Sequence, residues 1–272
     1  MSYIGGDLVS GYKELDSISR LSPAAVEIIS VVDRKETTID DIVELVSIDK
    51  VLYASLFKYV NSVAFGLRRS LSDLKEALNY LGLQGLRDLI FLLAAKKMFN
   101  CSHNWEHSVF VAFTVKKLAL RFGLQQKHTS DIYIAALVHD MGSMVLDAKF
   151  GTTYQELREE EDLYSRFSME KGLFGVNSIE ISHQILSDCD IPKKILKIIE
   201  SQALAPDHES YTLENALIDL ANRISFMDFH DQIDLDDLME TTVSKRFDLQ
   251  ALNLNLKFIK KICNEVGDFL NN

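Results

Sequence analysis

A histidine and an aspartate stand side by side in the stretch LVHDMG, residues 137–142, directly after a run of apolar residues. Imidazole nitrogens and carboxylate oxygens bind the divalent ions that activate water in hydrolytic sites. Adjacent side chains of a helix point about 100° apart, so we expect that His139 and Asp140 do not both face the core squarely. One ion at the helix surface could still touch both side chains, if other helices supplied further ligands.

The sequence holds seven histidines, which are His103, His107, His128, His139, His183, His208 and His230. His107 follows a short polar break near the start of a predicted helix, whereas His139 and Asp140 end the next one. If these helices are antiparallel neighbours, the two ends meet, and His107, His139 and Asp140 can approach one divalent ion. The alternative is a structural role, in which buried hydrogen bonds of the same side chains fix helix packing. For His103, His128, His208 and His230 we expect only the structural role.

A fourth ligand is harder to find in the sequence. Asp219 and Asn222 lie in the stretch LIDLANRIS, which has helical periodicity. Asp219 is a candidate substitute ligand, whereas Asn222 offers only a neutral amide oxygen. Other chemistries have weaker signals, because the sequence contains no glycine-rich phosphate loop and no GxSxG motif, and Cys101 and His103 are merely neighbours in a predicted linker.

The composition excludes some classes of function. The formal net charge of −11 repels nucleic acid, and no basic patch stands out. The three cysteines are far apart and form no CxxC pair, which is typical of a protein in a reducing cytoplasm. No signal peptide is recognised, and the longest apolar stretch, LIFLLAA at 89–95, is too short for a membrane span. We therefore expect a cytoplasmic protein that binds neither nucleic acid nor membrane.

Helices dominate the predicted secondary structure. Hydrophobic residues make up 47% of the 272-residue chain, which has only 3 prolines and 12 glycines to break helices. Thr38 and Asp49 are predicted to open two helices of the first half, and Gly82 to end a later one. Ser130 is predicted to cap the helix that carries the His-Asp pair. These helices would have to position any site that His107, His139 and Asp140 form.

A short polar stretch, NCSHNW at 100–105, interrupts the helical pattern. We place a domain boundary there, which divides the chain into an N-terminal helical subdomain, 15–100, and a second helical subdomain, 101–272. No segment alternates convincingly with a period of two residues, as a half-buried strand would. The sequence thus predicts an all-α fold in which helix packs on helix.

The order and spacing of several stretches resemble a known family. In the first half these are LSPAAVEIISVVD, IDDIVELVSIDKVLYASLFKYVNSVAFG and SLSDLKEALNYLGLQGLRDLIF; in the second half they are WEHSVFVAFTVKKLA, IYIAALVHDMGSMVL, FGVNSIEISHQIL and IPKKILKII. Over roughly residues 15 to 225 the chain is similar to the HDOD domain, a non-catalytic relative of the HD-domain phosphohydrolases. The resemblance implies two packed helical subdomains, of which the second is an HD-domain-like helical bundle.

The resemblance also implies where metal ligands of catalytic relatives would fall. His107 matches the first histidine, and the pair His139-Asp140 matches the HD dipeptide. Three further positions hold other residues here, namely Ser178, the pair Ser201-Gln202, and Asn222 in place of the closing aspartate. His183 is off the register of the missing histidine by five positions. A dinuclear site is therefore excluded, and a mononuclear site at His107, His139 and Asp140 would be vestigial and weak, because an amide supplies no negative charge.

Three functions follow as hypotheses. HDOD domains, as the resemblance implies, act mainly as non-catalytic modules in bacterial signal transduction, so we expect a regulatory module that binds a signalling protein or a ligand. No cofactor is expected beyond a weakly held divalent metal. The cleft between the two helical halves is the expected binding surface. The alternatives are a metal-dependent phosphohydrolase with a reduced mononuclear site, and a sensor that binds a nucleotide or similar anion in the old active-site cleft. The sequence does not set the partner or the oligomeric state.

Overall fold

All regular structure that can be assigned in this chain is helical. A computed structural model describes residues 23–32, 34, 36–60, 73–98, 103–158, 163–189, 191–229, 234–239, 246–248 and 252–270. No β-strand occurs in these ranges, and the predicted all-α fold is confirmed. In chain order the helices are α1 (Pro23–Val32), α2 (Ile39–Ile48), α3 (Lys50–Val60), α4 (Leu74–Met98), α5 (His103–Arg121), α6 (Gln126–Val138), α7 (Met141–Phe150), α8 (Thr152–Arg158), α9 (Leu163–Phe174), α10 (Ser178–Ser187), α11 (Lys193–Ser201), α12 (Leu213–Phe229), α13 (Leu235–Met239) and α14 (Leu256–Leu270).

The first helices start where their polar side chains can cap them. The Thr38 hydroxyl accepts a hydrogen bond from the backbone N–H of Asp41, and the Asp41 carboxylate accepts the N–H of Thr38 at 2.8 Å. This reciprocal capping box satisfies two N–H groups that the helix leaves without an internal partner. The Asp49 carboxylate accepts the N–H groups of Val51 and Leu52, each at 3.0 Å, and so opens α3. Both predicted helix starts are confirmed.

One predicted helix boundary is confirmed and another is wrong. Gly82 was expected to end a helix, and the backbone leaves helical geometry there, with φ of 66°; a second helical stretch then continues to Met98, so α4 consists of two helices joined by a kink at the glycine. Glycine adopts this left-handed conformation without a steric penalty. The predicted cap at Ser130 is wrong, because α6 begins at Gln126. Ser130 lies buried inside α6, and its hydroxyl donates to the Asp88 carboxylate of α4 instead of capping its own helix.

The two halves share one hydrophobic core. Helix α4 contacts α1, α2 and α3 of the first half and also α6 of the second half. Around α6, the second half packs α5, α11 and α12. The buried apolar side chains of both halves form one continuous cluster, so the predicted packing of two helical subdomains is observed. The predicted boundary between 100 and 101 lies outside the described residues and stays a prediction.

A buried ion pair joins the halves within this core. The Arg87 side chain of α4 is fully buried, and its guanidinium donates to the Asp131 carboxylate of α6 at 2.8 Å. The Lys194 ammonium group, at the start of α11, lies 2.9 Å from the same carboxylate oxygen. Charges removed from water are tolerated only with such partners. Helices α4, α6 and α11 are therefore held in register by one carboxylate.

We predict that Arg87→Met destabilises the protein by about 1–3 kcal/mol, because Asp131 loses its buried partner and keeps the more exposed Lys194. Urea unfolding followed by circular dichroism measures the change. The matched control is Lys75→Met, since Lys75 forms an exposed pair with Asp40 at 2.6 Å; its cost should stay within about 1 kcal/mol. Equal losses in the two variants would contradict the role of the buried pair.

Helices α7 and α10 approach so closely that only glycine fits between them. A Cβ atom added to Gly142 would lie 1.9 Å from the carbonyl oxygen of Ser178 and 2.9 Å from the backbone nitrogen of Ser182. Both atoms belong to the backbone of α10 and cannot rotate away. Gly142 therefore sets the distance between α10 and the start of α7, directly after the His-Asp pair.

We predict that Gly142→Ala costs about 3 kcal/mol, the upper end of the usual range for overpacking, because the added methyl group forces the two helices apart. Thermal and urea unfolding test this prediction. Gly172→Ala is the control, since a Cβ atom there meets nothing within 4 Å. Alanine is the better helix former, so the control variant should be as stable as the wild type or up to about 1 kcal/mol more stable. An unchanged stability of Gly142→Ala would refute the close approach.

The last helix packs on both halves. The Phe269 ring lies 4.9 Å from the Phe113 ring of α5 and 5.8 Å from the Tyr59 ring of α3, measured between centroids. Arg121 donates to the carbonyl oxygen of Asn253 at 2.8 Å, and its guanidinium stacks over Phe258. Nowhere in the described ranges is a helix both long and apolar enough to cross a membrane.

Candidate functional site

The His-Asp pair forms a turn between two helices. Helix α6 ends at Val138, and α7 starts at Met141, so His139 and Asp140 occupy the corner. Both are buried, with 1% and 2% of their surface exposed. The expectation that they do not both face the core is therefore wrong. It assumed one continuous helix, whereas the helix breaks at this pair and α10 covers the corner from the other side.

Helix α10 is fastened to this corner by one serine. The Ser182 hydroxyl donates to the carbonyl oxygen of His139 at 2.9 Å and accepts the backbone N–H of Gly142 at 2.7 Å. Both backbone groups lie at the helix break, where no regular helical partner is available. Ser182 thus satisfies the broken backbone and fixes the direction in which the His139 and Asp140 side chains leave it.

His107 and His139 come together as the antiparallel arrangement of α5 and α6 predicts. Their ring centroids are 5.6 Å apart, and the rings are inclined by 53°. His139 Nδ1 lies 2.7 Å from the carbonyl oxygen of Ala136. A carbonyl only accepts, so Nδ1 carries the proton and Nε2 presents its lone pair. Nε2 is buried and makes no hydrogen bond within the described part of the chain.

Asn222 of α12 lies near the His139 side chain. Its amide is close enough to raise the pKa of His139 slightly against the larger effect of burial, although no hydrogen bond of good geometry reaches Nε2. The Asn222 amide also donates to the carbonyl oxygen of Ile218 at 3.0 Å. Asn222, which the resemblance places at the position of the closing aspartate ligand, therefore lies near His139. Asp219, the candidate substitute ligand, is partly exposed one turn earlier on α12.

Both histidines of the cluster are held in the neutral form. Burial lowers the pKa of His139, and burial together with the neighbouring His139 lowers the pKa of His107 to about 3. His107 Nδ1 lies 3.1 Å from the Ser225 hydroxyl, which can donate to or accept from the ring. A neutral imidazole is the form that can bind a metal ion or accept a proton.

Asp140 is ionised and paired with two arginines. Guanidinium nitrogens of Arg158 and Arg166 lie 3.4 and 3.8 Å from its two carboxylate oxygens, and the Ser143 hydroxyl donates to it. Burial raises the pKa of Asp140, but the charges of Arg158 and Arg166 outweigh this effect and hold that pKa well below its usual range. The negative charge next to His139 is therefore already neutralised by the protein.

No sequence pattern pointed to these arginines. Arg158 closes α8 and Arg166 lies in α9, on either side of an acidic run that predicts a solvated face. The acidic run between them, residues 159–162, lies outside the described residues. Only the chain fold reveals that both guanidinium groups point at Asp140.

Arg166 also pairs with a second buried carboxylate. Glu170 is fully buried, and its carboxylate lies 3.7 Å from Arg166 Nε. The Tyr154 hydroxyl donates to Glu170 at 3.0 Å, and the backbone N–H of Ser178 donates at 2.6 Å. Burial raises the pKa of Glu170, and Arg166 partly offsets the effect. Helices α8, α9 and α10 therefore meet in one buried polar network beside the His-Asp corner.

The donors around this corner fit a divalent metal ion poorly. Across the residues that the structure describes, no three His, Cys, Asp or Glu side chains are arranged to hold an ion. Asp140 already faces two cations, and Ser201, at a missing histidine position, donates to the Asn215 side chain at 2.9 Å. A metal-binding role of His107, His139 and Asp140 stays a prediction.

His128 and His208 have partners outside this network. His128 Nε2 lies 2.9 Å from the Glu214 carboxylate, and His208 Nδ1 accepts the backbone N–H of Ser210 at 3.1 Å. His183 is partly exposed on α10. His230, and the side chains of His103 and Cys101, lie outside what the structure describes.

An open depression of about 540 Å³ lies on the first half, lined by Val31, Arg34, Glu36, Thr37 and Asp41. These residues belong to α1, to the start of α2 and to the loop between them. The depression is thus distinct from the His-Asp corner, which is formed by helices of the second half. The cleft between the halves, expected as the binding surface, stays a prediction.

This chain belongs to the HDOD domain family, because the family's sequence model matches residues 18–204. The match covers both halves of the helical core and the His-Asp corner. It ends before α12, so Asn222 and the last helices lie beyond the matched region.

Three comparisons illustrate the relationship. The crystal structure of an HDOD domain protein of unknown function from Geobacter sulfurreducens is 21% identical, with a TM-score of 0.75 over 96% of this chain and 97% of that one. A Shewanella amazonensis SB2B protein, provisionally named a phosphohydrolase, is 21% identical, with a TM-score of 0.70 over 97% of each chain. An uncharacterised Treponema pallidum protein is 29% identical over 148 residues, which are 53% of this chain and only 28% of that protein's length. The two structures share the fold with this chain.

We predict that acid destabilises the protein through His107 and His139. The folded-state pKa of His107 is about 3, whereas an unfolded histidine has a pKa of about 6.5. The unfolded chain therefore binds the extra proton as the pH falls from about 6.5 towards 3, so stability is lost over that window, by at most about 1.4 kcal/mol per pH unit for each histidine. Urea unfolding at pH 7, 6, 5 and 4 measures the slope.

His107→Gln should flatten this pH dependence, because glutamine does not titrate. His208→Gln removes an exposed histidine and should keep the slope of the wild type. The carboxylate of Asp140 contributes to acid sensitivity only below its usual pKa of about 3.9, which separates its effect from that of the histidines. An unchanged slope in His107→Gln would contradict the prediction.

Proposed function

We propose that this chain is a regulatory module of bacterial signal transduction that acts by binding a protein or a ligand, without catalysis. The observation that carries the proposal is the state of Asp140. Its charge is neutralised by Arg158 and Arg166, and the resemblance places Asn222 where catalytic relatives would have a second carboxylate. The membership in the HDOD domain family supports the same conclusion.

The physical argument concerns the activation of water. A hydrolytic metal ion needs anionic ligands to hold it and an open position for the water that it deprotonates. At the His-Asp corner, an incoming dication would meet two guanidinium charges beside Asp140. Neutral ligands such as the Asn222 amide offer a dipole, which binds a hard cation less strongly than a full charge does.

The alternative is a metal-dependent phosphohydrolase with a reduced mononuclear site at His107, His139 and Asp140. It is favoured by one observation, the buried lone pair on His139 Nε2, which lacks a hydrogen-bond partner in the described residues. The provisional name of the Shewanella protein is compatible with it. For this alternative, Asp140 would have to leave at least one of its arginines and turn to the ion.

A turnover assay separates the two proposals. The full-length chain is incubated with Mn²⁺, Mg²⁺ or Fe²⁺ and with nucleotides, cyclic dinucleotides or p-nitrophenyl phosphate, and product is measured beside the Asp140→Ala variant. We expect the wild type to stay at the background of that variant with every pair of metal and substrate.

Two variants decide the meaning of any activity. Hydrolysis that disappears in His139→Ala and persists in His208→Ala would come from the His-Asp corner and would refute the non-catalytic proposal. Hydrolysis that persists in both variants would come from a contaminating enzyme and would leave the corner inactive, as we expect.

A further inference from the structure

We propose that Arg158 and Arg166 take the electrostatic place of a divalent cation at Asp140. The two guanidinium groups neutralise the buried carboxylate and hold α8 and α9 against the His-Asp corner. The corner is consequently built as a metal-independent ion cluster, and a metal ion competes with the arginines for Asp140.

The burial of the partners makes the two charges necessary. Asp140 is 2% exposed, and an ionised carboxylate at such a position requires compensation from within the protein. The arginines reach different oxygens, Arg158 at 3.4 Å from Oδ2 and Arg166 at 3.8 Å from Oδ1. Both sides of the carboxylate are thus occupied by positive charge, which is the arrangement that a bound cation would otherwise have to supply.

The two arginine side chains differ in their exposure to solvent. The Arg166 side chain is 9% exposed and lies between Asp140 and Glu170, and its charge also balances Glu170. The Arg158 side chain is 26% exposed at the end of α8, where water can replace Asp140 as its partner. Arg166 is therefore the fixed cation of the cluster, and Arg158 is the one that a metal ion would have to displace first.

The proposal and the proposed function share one observation, the contacts of Asp140 with Arg158 and Arg166. The proposal makes a claim about metal binding, whereas the proposed function makes a claim about turnover. A catalytically silent protein could still hold a metal at this corner, and the experiments below distinguish that case.

The first experiment is a double-mutant cycle on the full-length chain. Arg166→Met keeps the apolar stem and removes the charge, and Asp140→Asn removes the carboxylate. We expect Arg166→Met to lower the Tm clearly in the wild-type background and to lower it less in the Asp140→Asn background, because Asp140 is then no longer an orphaned charge, whereas Glu170 loses its partner in both backgrounds. An equal loss in both backgrounds would overturn the proposal.

Lys171→Met serves as the matched control. Lys171 lies on the same helix, α9, and pairs with the exposed carboxylate of Glu180. Its effect on the Tm should be the same in the wild-type background and in the Asp140→Asn background, because its partner is not Asp140. If Arg166→Met does not yield folded protein, Arg158→Met at the more exposed position replaces it in the same cycle.

The second experiment measures metal binding directly. The wild-type chain is dialysed against Mn²⁺, its metal content is determined by mass spectrometry, and its Tm is recorded with Mn²⁺ and with EDTA. We expect no bound Mn²⁺ at the corner and no difference in Tm. The Arg158→Met/Arg166→Met variant should gain a rise in Tm with Mn²⁺ that His139→Gln abolishes, since Asp140 is then open to the ion.

Two results of the second experiment would overturn the proposal. One is Mn²⁺ bound by the wild type and lost in His139→Gln, because the ion would then coexist with both arginines. The other is a double variant that responds to Mn²⁺ no more than the wild type does. Turnover in the wild type without bound metal would refute only the proposed function, and a failed mutant cycle without turnover would refute only the inference.

Discussion

Asp140 carries a negative charge in a position that water hardly reaches, and the helices of the second half are arranged so that this charge is neutralised. An ionised carboxylate in such surroundings needs partners of opposite charge, and here these are Arg158 and Arg166. Because one arginine ends α8 and the other lies in α9, neutralising the carboxylate also determines where both helices lie. Glu170 extends the constraint, since it faces Arg166 and accepts the N–H of Ser178 at the start of α10.

The backbone at the corner imposes a second requirement. A helix that breaks between Val138 and Met141 leaves polar groups that must be satisfied, and Ser182 satisfies two of them. That contact is possible only because α10 comes very close, and the close approach in turn requires the missing side chain of Gly142. The neutralisation of Asp140 and the close packing of α10 therefore depend on each other, because the same few residues at the His-Asp corner link them.

The fold was largely predictable from the sequence, because helical periodicity and caps such as Thr38 act locally. The meeting of His107 and His139 was also predictable, since antiparallel neighbouring helices bring their connected ends together. Two features of the structure were not predictable. Ser130 is a residue type that often caps helices, yet its hydroxyl bonds to Asp88 of another helix. Arg158 and Arg166 reach Asp140 because the fold brings α8 and α9 to the His-Asp corner. Such partners are distant in sequence and leave no periodic signal. The spacing of His107, His139 and Asp140 in the sequence likewise does not determine whether they hold a metal ion.

The position of Phe269 has a consequence for how the chain responds to disturbance. Its ring touches Tyr59 from the first half and Phe113 from the second, although α14 lies more than fifty residues beyond the end of the family match. A displacement of this terminal helix would expose apolar side chains of both halves to water at the same time. Spectroscopic probes placed in either half should therefore report the same transition, and the chain would behave as one cooperative unit and not as two independent ones.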